Sequence, residues 1–129
     1  MNESKVSLVD LLLRPELPNV ARELPTKKVK LSRLSRLLGE DVIFTLRGLP
    51  YGRVQELLRL SEDLEGHILL AGCEDPDLKS PALMERFGGP TPLDALKGML
   101  LPGEISELSQ EVEKLCGYRG STIEEVKNG

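Results

Sequence analysis

Side chains able to do chemistry are few and widely spaced in this chain. His67 is the single histidine, and Cys73 and Cys116 are the two cysteines. An imidazole titrates near neutrality, so His67 is a candidate general base. Glu74, Asp75 and Asp77 follow it closely, and three carboxylates could ligate calcium or magnesium. Cation loops of the EF-hand type need further oxygen ligands and a glycine at set spacing, which the stretch around Pro76 lacks. Neither cysteine belongs to a CxxC pair, and neither combines with His67 at a familiar zinc spacing. Free thiols packed as small apolar groups are the simpler expectation. The phosphate-binding loop, the dinucleotide fingerprint, the nucleophile elbow and the HExxH pair are not present. The residues therefore predict no catalytic site, no cofactor and no metal. An enzyme centred on His67 and the carboxylates at 74–77 is the weakest reading.

A second candidate is the basic stretch Lys27, Lys28, Lys30, Arg33 and Arg36. Clusters of this kind contact phosphates, so a small nucleic-acid-binding regulator using residues 27–36 is the alternative function. Against it stand a net charge of −4, the lack of interleaved aromatics for base stacking, and no helix-turn-helix signature. Alternating lysines also keep an exposed sheet edge from pairing with other chains. The charge is polarised: residues 1–60 carry 11 basic and 7 acidic side chains, whereas residues 61–129 carry 6 and 14. The two halves could pair with each other, stack head to tail between copies, or meet a charged partner.

The elements that must position these residues are mostly helices. With 40% hydrophobic content, the chain can bury a core without disulfides or metals. With Phe44, Phe87, Tyr51 and Tyr118 as its aromatics, that core must be built from Leu, Ile, Val and Ala. Such side chains suit helix packing better than a β-sandwich. The expected fold is mainly α (α+β), a small helical domain with one short β-hairpin near residues 27–47. Residues 1–26 read as an N-terminal helix and a Pro-rich arm; residues 27–129 read as a single α+β domain with a helical part at 61–129. Charges throughout residues 1–25 argue against a signal peptide, and no run reaches the ~20 apolar residues of a membrane span. A cytoplasmic protein is expected.

Ser7 is placed to cap a short helix through Leu13, with Asp10 in its first turn; Pro15, Pro18 and Pro25 then impose an extended arm. Lys28–Ser32 alternates polar and apolar residues, and Val42, Phe44 and Leu46 share one face of a second strand, with a helical connection through Leu34–Leu38. Pro50 suits a first helical turn ahead of Val54, Leu57, Leu58 and Ser61. A helix over 62–73 follows, although Gly66 weakens it and Ile68-Leu69-Leu70 could be a buried strand. Ser80-Pro81 starts a short helix ended by Gly88-Gly89. Thr91, Pro92 and Asp94 form a capping box for the next, with Leu93, Leu96 and Leu100 as its apolar stripe. Pro102 opens the clearest helix of the chain. Leu101, Ile105, Leu108, Val112 and Leu115 lie on one face of it, Glu104 and Lys114 suit its dipole, and Gly117 follows its end. This stripe is core or partner-binding surface, and the five residues are the candidate partner site. Ser121 and Glu124 offer a capping box for a tail helix.

Several segments resemble the XkdN-like tail assembly chaperones of phages and prophages of Gram-positive bacteria. They are Leu70-Ala-Gly-Cys-Glu-Asp-Pro-Asp-Leu-Lys79, Gly88-Gly-Pro-Thr-Pro-Leu-Asp-Ala-Leu96, Leu100-Leu-Pro-Gly-Glu-Ile-Ser-Glu-Leu108 and Leu115-Cys-Gly-Tyr118. The Lys-rich strand, Val42–Pro50 and the helix after it are compatible but less specific. The resemblance implies a non-enzymatic protein that binds the tail tape measure protein as its client and keeps it soluble during assembly. It also implies action in the cytoplasm of the bacterial host, absence from the mature virion and, as in related systems, a longer frameshifted form sharing the N-terminal domain. Self-association is a further expectation; contact with a membrane or with nucleic acid is not.

Overall fold

The structure, a computed structural model that describes residues 7–127, contains ten elements in those residues. In chain order they are α1 (Leu8–Leu12), β1 (Thr26–Lys30), α2 (Ser32–Leu38), β2 (Ile43–Arg47), α3 (Tyr51–Leu58), α4 (Leu64–Gly72), β3 (Cys73–Asp75), α5 (Pro81–Phe87), α6 (Pro92–Met99) and α7 (Pro102–Leu115). The fold is α+β and mainly helical, as the sequence predicts. The expected hairpin is present: β1 pairs antiparallel with β2 from Thr26↔Arg47 to Lys30↔Ile43, and α2 forms the connection. Alternation along β2 buries Phe44 and Leu46 against the helices, the pattern of a strand with one face on a core.

A third strand escapes the sequence reading. β3 pairs antiparallel with β2 across an irregularity at Thr45/Leu46, making β2 the central strand. The two edges are thus the Lys-rich β1 and a strand of three residues, both of them guarded against pairing with other chains. Three residues carry no readable period, and β3 is defined by a partner almost thirty positions away.

The core joins β2, α4, α6 and α7, with Leu46, Leu69, Leu96 and Val112 fully enclosed. Helix α4 packs closely on α7 because Gly72 faces Val112: a Cβ there would lie 2.5 and 2.7 Å from the two Val112 methyls. Gly66, which weakens the helix in sequence terms, faces Leu93 of α6 at 2.4 Å from where its Cβ would be. Close approach of neighbouring elements is therefore what these glycines supply. It also settles Ile68-Leu69-Leu70 as helix rather than strand.

The capping signals hold. Asp10 N–H donates to Ser7 Oγ, Ala82 N–H to Ser80 Oγ, and Thr91 and Asp94 make the reciprocal box at 3.2 Å in each direction. Two expectations are corrected. Pro50 precedes α3 as its cap rather than standing inside it, and α3 ends at Leu58, so Ser61 falls outside. No tail helix forms over 121–127: Ser121 Oγ donates to the Ile123 carbonyl, while Ile123 and Val126 are exposed. A helix that short has nothing to offset its nucleation cost unless a face is buried.

Candidate partner-binding surface

Helix α7 organises the candidate surface. Its start is fixed by Glu104, whose Oε1 accepts the Leu101 N–H at 2.8 Å. The same carboxylate takes both arms of Arg33, Nε to Oε2 at 2.9 Å and Nη2 to Oε1 at 2.8 Å. Arg33 Nη2 also donates to the Met99 carbonyl at 3.0 Å. One ion pair thus ties α2, the α6–α7 turn and the first turn of α7 together. Charge-assisted bidentate bonds of this kind are the strong ones. The sequence reading placed Arg33 in a phosphate-binding stretch and missed this role, because the pair spans 71 positions.

Hydrogen bonds from Arg33 hold the Glu104 carboxyl below its ordinary value of 4.5. A carboxylate with a lowered folded-state pKa adds stability that is complete above its unfolded value and lost as pH falls through the folded one. Arg33→Gln is therefore expected to lower the urea midpoint at pH 7. The gap from wild type should narrow as pH falls below about 4.5 and close once Glu104 is protonated.

Two further cations of the basic stretch are occupied, whereas Lys28 and Arg36 make no ion pair among the described residues. Lys27 pairs with Glu111 of α7, and Lys30 pairs with Asp41 at 3.0 Å. Arg47 on β2 reaches Glu74 on β3 at 3.8 Å. Lys27, Arg33 and Arg47 of the first half thus meet carboxylates of the second, the internal pairing among the options left by the polarised charge. These contacts take Lys27, Lys30 and Arg33 away from a phosphate-binding role.

The other candidate groups have local tasks. His67 sits half-buried on α4, and Asp77 Oδ1 accepts the Lys79 N–H at 3.0 Å. The Cys73 thiol donates to the Pro76 carbonyl at 3.4 Å, and burial pushes it up to about 12. Cys116 accepts the Leu49 N–H at 3.2 Å, and burial raises its thiol too. Neither is a ready nucleophile, because the thiolate is the reactive form. Among the described residues, no three His, Cys, Asp or Glu side chains converge on a metal position.

Of the five residues of the α7 stripe, Ile105, Leu108 and Val112 are buried in the core, Leu115 is half-buried, and Leu101 is exposed. The stripe packs on α4 and β2 through its middle and reaches solvent at its ends. Two apolar grooves border it. The first, about 490 Å³, runs between α4, α6 and the start of α7 and is lined by Leu64, Leu93, Leu100, Pro102 and Ile105. A salt bridge between Lys97 and Asp63 at 2.9 Å stands at its rim. The second, about 320 Å³, lies beyond Leu64 between α3 and α4, lined by Leu49, Val54, Leu57, Leu58, Ile68 and Tyr118. Sequence reasoning found the helices but not these grooves, which form only when three elements meet.

Such a surface has the form that takes an amphipathic helix, with apolar walls and a polar rim. A comparison with curated proteins gives no match. Among solved structures, the chain is similar to the crystal structure of the protein yqbn, with a TM-score of 0.59 and 17% identity over 83% of this chain and 94% of that one. That likeness is one of fold. Residues 61–128, more than half of the chain, match the family described as phage XkdN-like tail assembly chaperone protein. The match spans the segments at 70–118 that carry the resemblance in the sequence, and no helix among the described residues is long and apolar enough to cross a membrane. The chain belongs to the phage XkdN-like tail assembly chaperone family.

Proposed function

We propose that the protein acts stoichiometrically and without catalysis, binding the tail tape measure protein in the cytoplasm of the bacterial host and keeping it soluble until the tail assembles. The observation that carries this is the family match over 61–128, which places the role in phage tail assembly. The surface adds physical support. Leu101 is exposed and stands in the chain between Leu100 and Pro102, two residues of the groove that Leu93 and Ile105 also line, and a long helical client exposes apolar stripes of matching period. The acidic second half then keeps a complex with an aggregation-prone client charged and dispersed. On this reading the protein leaves before the virion matures, and a longer frameshifted form, where one is made, shares the same N-terminal domain.

Affinity purification of the tagged chain co-expressed with the tape measure protein tests the proposal. Co-elution in a fixed molar ratio that survives moderate salt is the expected result. A client that fails to co-elute at any salt concentration contradicts it.

A further inference from the structure

The groove between α4, α6 and the start of α7 joins an apolar lining to charged groups. Leu64, Leu93, Leu100, Pro102 and Ile105 supply the first; Asp63, Glu65 and Lys97 supply the second. Polar bridges lead from the two carboxylates, both at the start of α4, to the other two helices. Asp63 meets Lys97 of α6 at 2.9 Å, and Glu65 Oε2 accepts the Ser106 hydroxyl of α7 at 2.7 Å. Two carboxylates thus stand against one ammonium group. The imbalance has the sign of the whole segment 61–129, with 14 acidic and 6 basic side chains.

Asp63 is placed for a task other than capping. Aspartate is a preferred N-cap because its side chain can accept a free N–H of the first turn. Asp63 occupies the N-cap of α4, yet its side chain makes no such bond. Its backbone lies in the left-handed region at φ 56°, a conformation that costs free energy and concentrates where proteins bind ligands. The carboxylate is thereby presented to the groove and to Lys97 rather than to its own helix. Lys97 and Asp63 are 51% and 38% exposed, and an ion pair so open to water stabilises little. Replacing its lysine by another cation therefore costs little.

We propose that this groove takes a client helix carrying a lysine or arginine beside its apolar stripe, and that this cation displaces Lys97 from Asp63 and lies against Glu65. The inference rests on the proposed function and adds the chemistry by which the groove recognises its client. Lys97 keeps the place of the client's cation in the free protein. Asp63 is then paired before and after docking, so the helix covers the mouth without leaving a carboxylate alone in an apolar setting. The displaced Lys97 reaches solvent on its flexible stem. A helix with a carboxylate at that position meets Asp63 and Glu65 and is turned away.

Asp63→Asn combined with Glu65→Gln removes both charges and keeps the shape, since asparagine tolerates the left-handed region and glutamine still accepts from Ser106. Wild-type and variant full chains with different tags are co-expressed with a limiting amount of tape measure protein, and the complex is captured through the client. At low salt the double variant should be under-represented roughly fivefold. Lys97→Ala, which removes the competing cation, should be over-represented. Both ratios should approach one as salt rises to about 1 M, and each variant should keep the far-UV circular dichroism spectrum of wild type. An even share or an excess of the double variant at low salt overturns the proposal and leaves the client assignment standing. So does a share of Lys97→Ala below that of wild type. A client that wild type itself fails to capture overturns the proposed function, and this inference with it.

Discussion

Leu108→Glu is expected to unfold the domain, with loss of the cooperative thermal transition and of helical circular dichroism at 25 °C. Leu108 is 6% exposed and sits in the core cluster with Ile105 and Val112. The nearby cations Lys27 and Arg33 are already paired with Glu111 and Glu104, and a charge forced into the apolar cluster costs several kcal/mol. A domain of this size has roughly 5–15 kcal/mol in total, and loss of the leucine packing adds about 2–5 kcal/mol. Leu101→Glu, one helical turn outside the core on the same stripe and 52% exposed, is expected to leave the melting curve within experimental error of wild type. Only the second substitution reports on a partner, so the pair separates the two roles that the stripe could have in sequence terms.

Gly72→Val should be nearly as damaging, through the opposite fault. The new Cβ alone would stand 2.5 Å from a Val112 methyl and 3.1 Å from the Arg47 carbonyl oxygen. Val112 is fully buried and the carbonyl belongs to the sheet, so neither yields without moving α7 or β2. Overpacking of this kind costs about 1–3 kcal/mol for small additions, and three carbons at so close a helix contact should reach the top of that range. Gly72→Ala should fall between wild type and Gly72→Val, even though alanine favours a helix by about 1 kcal/mol over glycine. Urea midpoints of the three proteins give the order directly; a Gly72→Ala protein more stable than wild type contradicts the packing described.

What could be read from the sequence was what is encoded locally. Ser80-Pro81, Thr91 with Asp94, and Pro102 mark helix starts within a few residues of the groups that they satisfy, and all three starts are present. The period-two run at Lys28–Ser32 and the apolar face of Phe44 and Leu46 likewise point to strands, although β1 runs from Thr26 to Lys30 and Ser32 already opens α2. Contacts between distant segments were not legible. Strand β3 exists because Cys73–Asp75 meets β2, and Arg33 belongs to Glu104 rather than to a phosphate. The α7 stripe shows both limits. Its period reveals a face, but a face that packs on α4 and one that awaits a client have the same spacing. At the tail, a capping box without an apolar surface to cover did not suffice. The division at residue 26 into arm and domain remains our proposal, and α1 with no buried residue supports it.

The proposed function is that this chain keeps a tape measure protein soluble by binding it. Its most direct test is the soluble fraction of the tape measure protein, expressed alone, with the wild-type chain, and with Leu101→Glu. The client should aggregate when alone, stay largely soluble with wild type at equal or greater molar amount, and lose that protection with the variant. A client whose soluble fraction is the same with and without the wild-type chain would contradict it.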